Sequence, residues 1–251
     1  MKPENSNTKY FAAVGDTHGH MHAMVKMLTQ WESISGKSLA FVIQAGDFEP
    51  HRNNEDVRTM AAPAKYKKAG DFPDYHCGRT NFPWPVYFIG GNHEPYGFLD
   101  ETPSGNIITE NCHYLGRVGT VELSNIKIAG ISGIFREEQV PAWRPPVSLI
   151  HRKSNKEYIY IIKDEVEKIL NYNRTDILIM HQWPNQFSRL IIEILEPRVI
   201  ICAHEHKKHR DEIILESGKH VSLCCLANVE KGTDSFAIFQ ITPGQEINEI
   251  L

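Results

Sequence analysis

Short apolar runs alternate with stretches of helical periodicity along the chain, a pattern that predicts layered α/β architecture. Residues 10–14 (YFAAV) read as a strand ending at Gly15-Asp16, and residues 20–31 carry Met and Leu at helical spacing. Residues 39–44 form a second predicted strand, ending at Gly46-Asp47. Residues 86–89 form a third, ending at Gly90-Gly91-Asn92-His93. Residues 176–180 and 199–203 are the fourth and fifth, ending at His181 and His204. Each strand empties into a residue able to hold a metal. Such ends share one edge of an α/β sheet, where ligand sites usually lie.

The remaining pattern is more β-like. Residues 117–123 and 126–131 flank Ser124-Asn125, a predicted tight turn, and residues 212–215 and 220–223 flank Ser217-Gly218. Residues 236–241 are the last predicted strand, and 158–172 carry a helical pattern. Residues 50–85 are rich in Pro, Gly, Asn and charge and read as an inserted excursion, of a length that is usually functional. No repeat, low-complexity tract or domain boundary interrupts the chain, so residues 1–251 are expected to form one domain.

Composition narrows the function. Of 251 residues, 41% are hydrophobic, enough for a sizeable core, and the net charge of −4 gives no global support for binding nucleic acid by charge. Five cysteines without a C-x-x-C pair argue against a disulfide framework or a zinc ribbon, and Cys224-Cys225 is expected to be buried in a strand. The first ten residues are polar and lack the apolar core of a signal peptide. No apolar run approaches the roughly 20 residues of a membrane span. A cytoplasmic chain without membrane attachment or an obligate protein partner is expected.

Histidine is the unusual residue, with 13 copies, several beside Gly, Asp and Asn. Five motifs carry the chemistry: Gly15-Asp16-Thr17-His18-Gly19, Gly46-Asp47-Phe48-Glu49, Gly91-Asn92-His93-Glu94, His181 and His204-Glu205-His206. Any one alone has an ordinary use, since an Asp after a strand often caps a helix and a lone His is often a core or surface residue. Five in order, each closing an apolar strand, are poorly explained that way. Carboxylate, imidazole and amide oxygen together suit Mn, Fe or Zn better than Ca or Mg.

As a set these motifs, spanning residues 15 to 206, resemble the calcineurin-like metallophosphoesterase superfamily. The resemblance implies a four-layer α/β sandwich, two β-sheets flanked by helices, and two divalent metal ions. Asp16, His18 and His206 would bind one ion, Asn92, His181 and His204 the other, and Asp47 would bridge them. His93 would be catalytic, placed above the phosphate. Two cations about 3.5–4 Å apart would polarise the phosphoryl oxygens and turn a bridging water into hydroxide near neutral pH. A protonated His93 would then donate to the leaving oxygen, with Glu94 or Glu49 as its acidic neighbour. Ala203 stands where the superfamily usually has Gly.

A narrower resemblance joins Gly46-Asp47-Phe48-Glu49, Arg52-Asn53, Met60-Ala61-x-Pro63-x-Lys65-Tyr66, Gly130-Ile131-Ser132-Gly133-Ile134-Phe135 and His181-x-Trp183-Pro184. This is similar to the RNA lariat debranching enzymes, which hydrolyse 2′,5′-phosphodiesters, and Ala203 is shared with them. It departs from them in three ways: the interval from His181 to His204 is short, so the recognition loop is missing; a C-terminal region is lacking; and Thr17 replaces a frequent Cys. The implied substrate is a phosphodiester, in RNA or a nucleotide. Arg52, Asn53, Lys65 and Tyr66 are the candidate substrate contacts. Lys67, Lys68 and the run 207–210 could add phosphate contacts, and Trp183 and Tyr96 base stacking, whereas Trp84 reads as packing. Two alternatives stay open: a generic metallophosphatase acting on monoesters or phosphoproteins, and a weakly catalytic binding module stapled by metal.

Overall fold

The computed structural model describes residues 8–150 and 154–251. In chain order the strands are β1 (Lys9–Val14), β2 (Leu39–Gln44), β3 (Val86–Phe88), β4 (Asn106–Thr109), β5 (Cys112–Tyr114), β6 (Val118–Leu123) and β7 (Ile126–Ile131). They continue as β8 (Ile177–Met180), β9 (Val199–Cys202), β10 (His209–Ile214), β11 (His220–Cys225), β12 (Phe236–Ile241) and β13 (Ile247–Glu249). The helices are α1 (Met21–Ser35), α2 (Asn54–Thr59), α3 (Phe72–His76), α4 (Tyr96–Leu99), α5 (Lys163–Leu170) and α6 (Arg189–Leu195).

Among the described residues the strands form two sheets, ordered β13-β12-β1-β2-β3-β5-β4 and β10-β11-β9-β8-β7-β6. The inner strands β1, β2, β3 and β5 run parallel, as do β7, β8, β9 and β11, while antiparallel strands close the edges. Strands of this kind are buried on both faces, which is why they read as continuous apolar runs rather than alternating ones. The period of two then sorts their side chains between layers. Phe11 and Ala13 of β1, Ile177 and Ile179 of β8, and Val199 and Ile201 of β9 meet between the sheets. Ala12 and Val14 face α1, while Leu178, Met180 and Ile200 face the layer of α5 and α6. The expected sandwich of two sheets flanked by helices is the architecture observed.

Several local expectations change. The helical pattern at 158–172 becomes helix only at α5, because Ile134 bonds on both sides of Tyr160: its N–H donates to Ile159 O and its carbonyl accepts from the Ile161 N–H. The Glu165 carboxylate then accepts from the Ile162 N–H and starts the helix. β12 is not the last strand, since β13 adds to its edge. The excursion is packed rather than open: Phe72, Tyr75, Phe82 and Trp84 are buried with Phe48 and Phe88. Its Asp71 accepts from the N–H groups of Met21 and His22, capping α1 from a distance. Cys224 and Cys225 are buried in β11, as expected. No helix among the described residues is long and apolar enough to cross a membrane.

Candidate metal centre

The carboxyl ends of β1, β2, β3, β8 and β9 deliver all five motifs to one place. Two buried residues tie the loops together. Gln44 donates from Nε2 to Gly15 O (3.0 Å) and Gly46 O (2.7 Å) and accepts from the Gly46 N–H (3.0 Å). Glu94 accepts from the N–H groups of Phe48 (2.8 Å), Glu49 (2.9 Å) and Gly91 (3.1 Å). Thr17 and His18 both donate their N–H to Asp47 O, at 3.1 and 2.9 Å. His18, Asp47, Glu49, His204 and His206 all adopt positive φ, a conformation that costs free energy and clusters at functional sites. Ala203 does not need it: the left-handed turn falls on His204, at φ 68°.

Asp16, His18 and His206 form one cluster, with ligand-type atoms within 4.8 Å of one another. His206 Nε2 lies 2.8 Å from Asp16 Oδ2 and 3.1 Å from His18 Nε2. Asp16, Asp47 and His181, all buried, form a second cluster that shares Asp16 with the first. His181 Nε2 is 3.1 Å from Asn92 Oδ1 and 3.4 Å from Asp47 Oδ1. His204 packs edge-on against His181, ring centroids 5.0 Å apart, and its N–H donates to Asp16 Oδ1 (3.2 Å). All seven expected ligands are therefore gathered.

The donor set fits cations. Asp16 Oδ2 is buried without a hydrogen bond, and two imidazole Nε2 atoms converge beside it. Outer contacts aim these nitrogens inward: His181 Nδ1 pairs with Ala45 O (2.8 Å) and His18 Nδ1 with Glu49 Oε1 (2.8 Å), freeing each Nε2. The field is negative. Burial pushes the His181 and His18 imidazoles down, but the carboxylates win: Asp47 and Asp16 raise His181 to about 10, and Glu49, Asp47 and Asp16 raise His18 to about 9. Burial alone would raise Asp47, yet His181, His93 and His18 hold it far below the usual carboxylate range. A pocket that holds protons this firmly also draws divalent ions, which displace those protons on binding.

His93 forms a third such group with His18 and Glu49, adjoining the other two. Its N–H donates to Asp47 Oδ1 (2.7 Å), and its Nδ1 faces Glu49 Oε1 at 3.6 Å. Of the two acidic neighbours that the sequence left open, Glu49 is the one facing His93; Glu94 turns to the backbone. Burial lowers the His93 imidazole, but Glu49 and Asp47 leave it raised overall. Buried His51 approaches the other Glu49 oxygen at 3.6 Å, a contact that sequence reasoning missed. The only signal was a histidine two positions after Glu49.

The candidate substrate contacts separate. Tyr66 is half-exposed and faces His93, ring centroids 6.4 Å apart, with Lys65 Nζ 4.6 Å from the Tyr66 ring. Arg52 is held by Asp56 (2.8 and 2.9 Å) and lies over the Phe98 ring. Asn53 caps α2, accepting from the Glu55 and Asp56 N–H groups. Tyr96 is buried and donates to Gly91 O (2.6 Å), which removes it from base stacking. Trp84 is buried too and bonds Glu32, and Trp183 packs on His209. In the run 207–210, Lys208 bonds backbone carbonyls and Arg210 pairs with Glu249.

This arrangement has a known counterpart. The sequence profile of the calcineurin-like phosphoesterase family matches residues 9–208. The chain belongs to that family. Membership places it among metal-dependent phosphoesterases. Similar proteins include the lariat debranching enzyme of Entamoeba histolytica, 28% identical over 238 residues and covering 81% of this chain and 66% of that one. The lariat debranching enzyme of Drosophila melanogaster is 34% identical over 178 residues, 69% of this chain and 33% of that one. The chain thus spans between a third and two thirds of these relatives. The fold is also similar to the crystal structure of a 5′-nucleotidase precursor from Thermus thermophilus, at TM-score 0.54 and 10% identity over 96% of this chain and 54% of that one.

Proposed function

We propose that this chain is a dinuclear metal-dependent phosphodiesterase that hydrolyses 2′,5′-linked branched RNA. The observation that carries the chemistry is the convergence of Asp16, His18, Asp47, Asn92, His181, His204 and His206 on one negative site, buried at Asp16, Asp47 and His181 and open at His206, with His93 beside Asp47. Asp16, His18 and His206 would hold one ion and Asn92, His181 and His204 the other, with Asp47, whose charge reaches His18, His93 and His181 alike, available to both. When bound, two ions of Mn, Fe or Zn type would supply positive charge to the phosphoryl oxygens and acidity to a water near neutral pH.

The chain's own residues do the rest. Glu49 fixes His18 through Nδ1, and Ala45 O fixes His181 the same way. Glu49 also faces Nδ1 of His93, which leaves the protonated Nε2 edge for the leaving oxygen, so His93 acts as general acid. Tyr66, half-exposed beside His93, offers an aromatic face to a base next to the scissile phosphate, with Lys65 over its ring. The debranching reading rests on the similarity to the lariat debranching enzymes together with this aromatic contact.

The test compares cleavage of a synthetic branched RNA with a matched linear RNA, monoesters and cyclic nucleotides, in Mn²⁺ and then Fe²⁺ or Zn²⁺. Branch cleavage well above linear RNA is expected. Faster hydrolysis of monoesters or cyclic nucleotides than of either RNA would replace the proposal with a generic phosphoesterase. Asp47→Asn should lose metal and turnover together. His93→Ala should keep metal and lose about 10²–10⁴-fold in rate on poor leaving groups, and less on p-nitrophenyl esters.

A further inference from the structure

A second pocket begins at the turn that carries Tyr66. It has a volume of about 440 Å³, within the range of small-molecule sites. One wall is the excursion, with Arg58, Met60, Pro63 and Lys67; the other is residues 154–156. The walls are stitched together by Asn155, whose Nδ2 donates to Arg58 O (2.9 Å) and Met60 O (3.2 Å), and the excursion wall is braced by Lys67 Nζ donating to Arg58 O (3.4 Å). The pocket is therefore built by tertiary contacts across more than 90 residues of sequence.

Its lining has one sign of charge. Arg58, Lys67 and Lys156 line it, and no carboxylate does among the described residues. Arg58 is paired with Glu55 (2.6 Å), whereas among the described residues Lys67 and Lys156 pair with no carboxylate. Met60, Ala61 and Pro63 give an apolar face beside them. Ammonium groups next to an apolar face match a nucleotide, with phosphate on the lysines and sugar and base against the apolar residues. Pro63 and Lys67, which line the pocket, flank the turn that carries Tyr66, whose ring faces His93.

We propose that the pocket is a second nucleotide subsite of the same reaction: it takes the nucleotide beyond the one on Tyr66, with its phosphate held by Lys67 and Lys156. This rests on the RNA-diester reading above and adds where the arm of the substrate is gripped.

The experiment measures binding of a fluorescently labelled, non-cleavable branched RNA to the Mn²⁺-loaded full chain. The arm is lengthened one nucleotide at a time, and each complex is followed over a salt series. The wild type should bind more tightly in one step, at the length that reaches the pocket. Lys67→Ala with Lys156→Ala should lose that step, and the slope of log affinity against log salt should flatten by about 0.7, the value for one single-strand phosphate contact. Lys156→Arg should restore most of it, and removing Lys26, exposed on α1, should leave the step in place. Retained metal content and circular dichroism establish that the variants fold. If the double variant keeps both step and slope while the wild type binds and cleaves branched RNA, the subsite is wrong and the functional reading stands. If the wild type binds no RNA yet hydrolyses small phosphate esters, both fall together.

Discussion

Glu94→Gln replaces one oxygen of a fully buried carboxyl with an NH₂ group, and two opposing effects follow. Oε1 accepts from the Phe48 and Gly91 N–H groups, and Oε2 accepts from the Glu49 N–H. Glutamine keeps the first oxygen but turns a donor toward the Glu49 N–H. A buried donor left unpaired costs about 1–3 kcal/mol. Against this stands ionisation. Burial first, and the negative charge of Asp47 second, push the Glu94 carboxyl from 4.5 up to about 8. A group raised in the folded state gives stability that is fully present below its unfolded pKa, about 4.5, and is lost as pH rises through about 8. At about 1.36 kcal/mol per pH unit, that loss reaches at most about 5 kcal/mol. Glutamine never ionises. In metal-free protein the variant should therefore be less stable than wild type near pH 5, by about 1–3 kcal/mol, and more stable near pH 9. Urea unfolding at the two pH values with unchanged m measures both differences. Metal loading should shrink the pH dependence, because cations at Asp47 cancel the charge that raises Glu94. A difference of the same sign and size at both pH values would refute the reasoning.

Asn53→Ala removes the cap of α2 and should cost about 1 kcal/mol in urea unfolding with turnover unchanged; a large loss of turnover at unchanged stability would instead make Asn53 a substrate contact. Gly91→Ala places a Cβ 2.2 Å from Asp47 Oδ1 and 2.7 Å from His181 Nε2. Elemental analysis should find the variant depleted of metal, and full occupancy would contradict the assigned centre. Chelation should lower the melting temperature, by the equivalent of about 2.7 kcal/mol when free metal had stood at a hundredfold its dissociation constant. Metal affinity should also weaken on acidification, because imidazole ligands must shed protons, and calorimetry in buffers of different ionisation enthalpy would detect their release.

The parallel strands and the five motifs at their ends were legible in the sequence. Strands buried on both faces must be apolar throughout, and a metal centre needs a few residue types at fixed positions, so both leave marks that local reading detects. Thus β1, β2, β8 and β9 lie where the apolar runs predicted, each ending one to three residues before a proposed ligand. What depends on distant partners left no such mark. Helix α6, the edge strands β4 and β13, and β5 beside β4 are short and draw their stability from the surfaces they cover. The pattern at 158–172 promised a longer helix than forms, because Ile134 captures its first residues as a strand bridge. In the site, the sequence determined which residues meet, but only the tertiary structure decided their duties. Asn53, free by sequence to touch substrate, is placed by the fold as the cap of α2. Glu49 and Glu94 were equivalent by composition. Glu49 turns to His18 and His93 while Glu94 takes three backbone N–H groups, because buried donors and acceptors must each find a partner and the loops offered each carboxylate a different one.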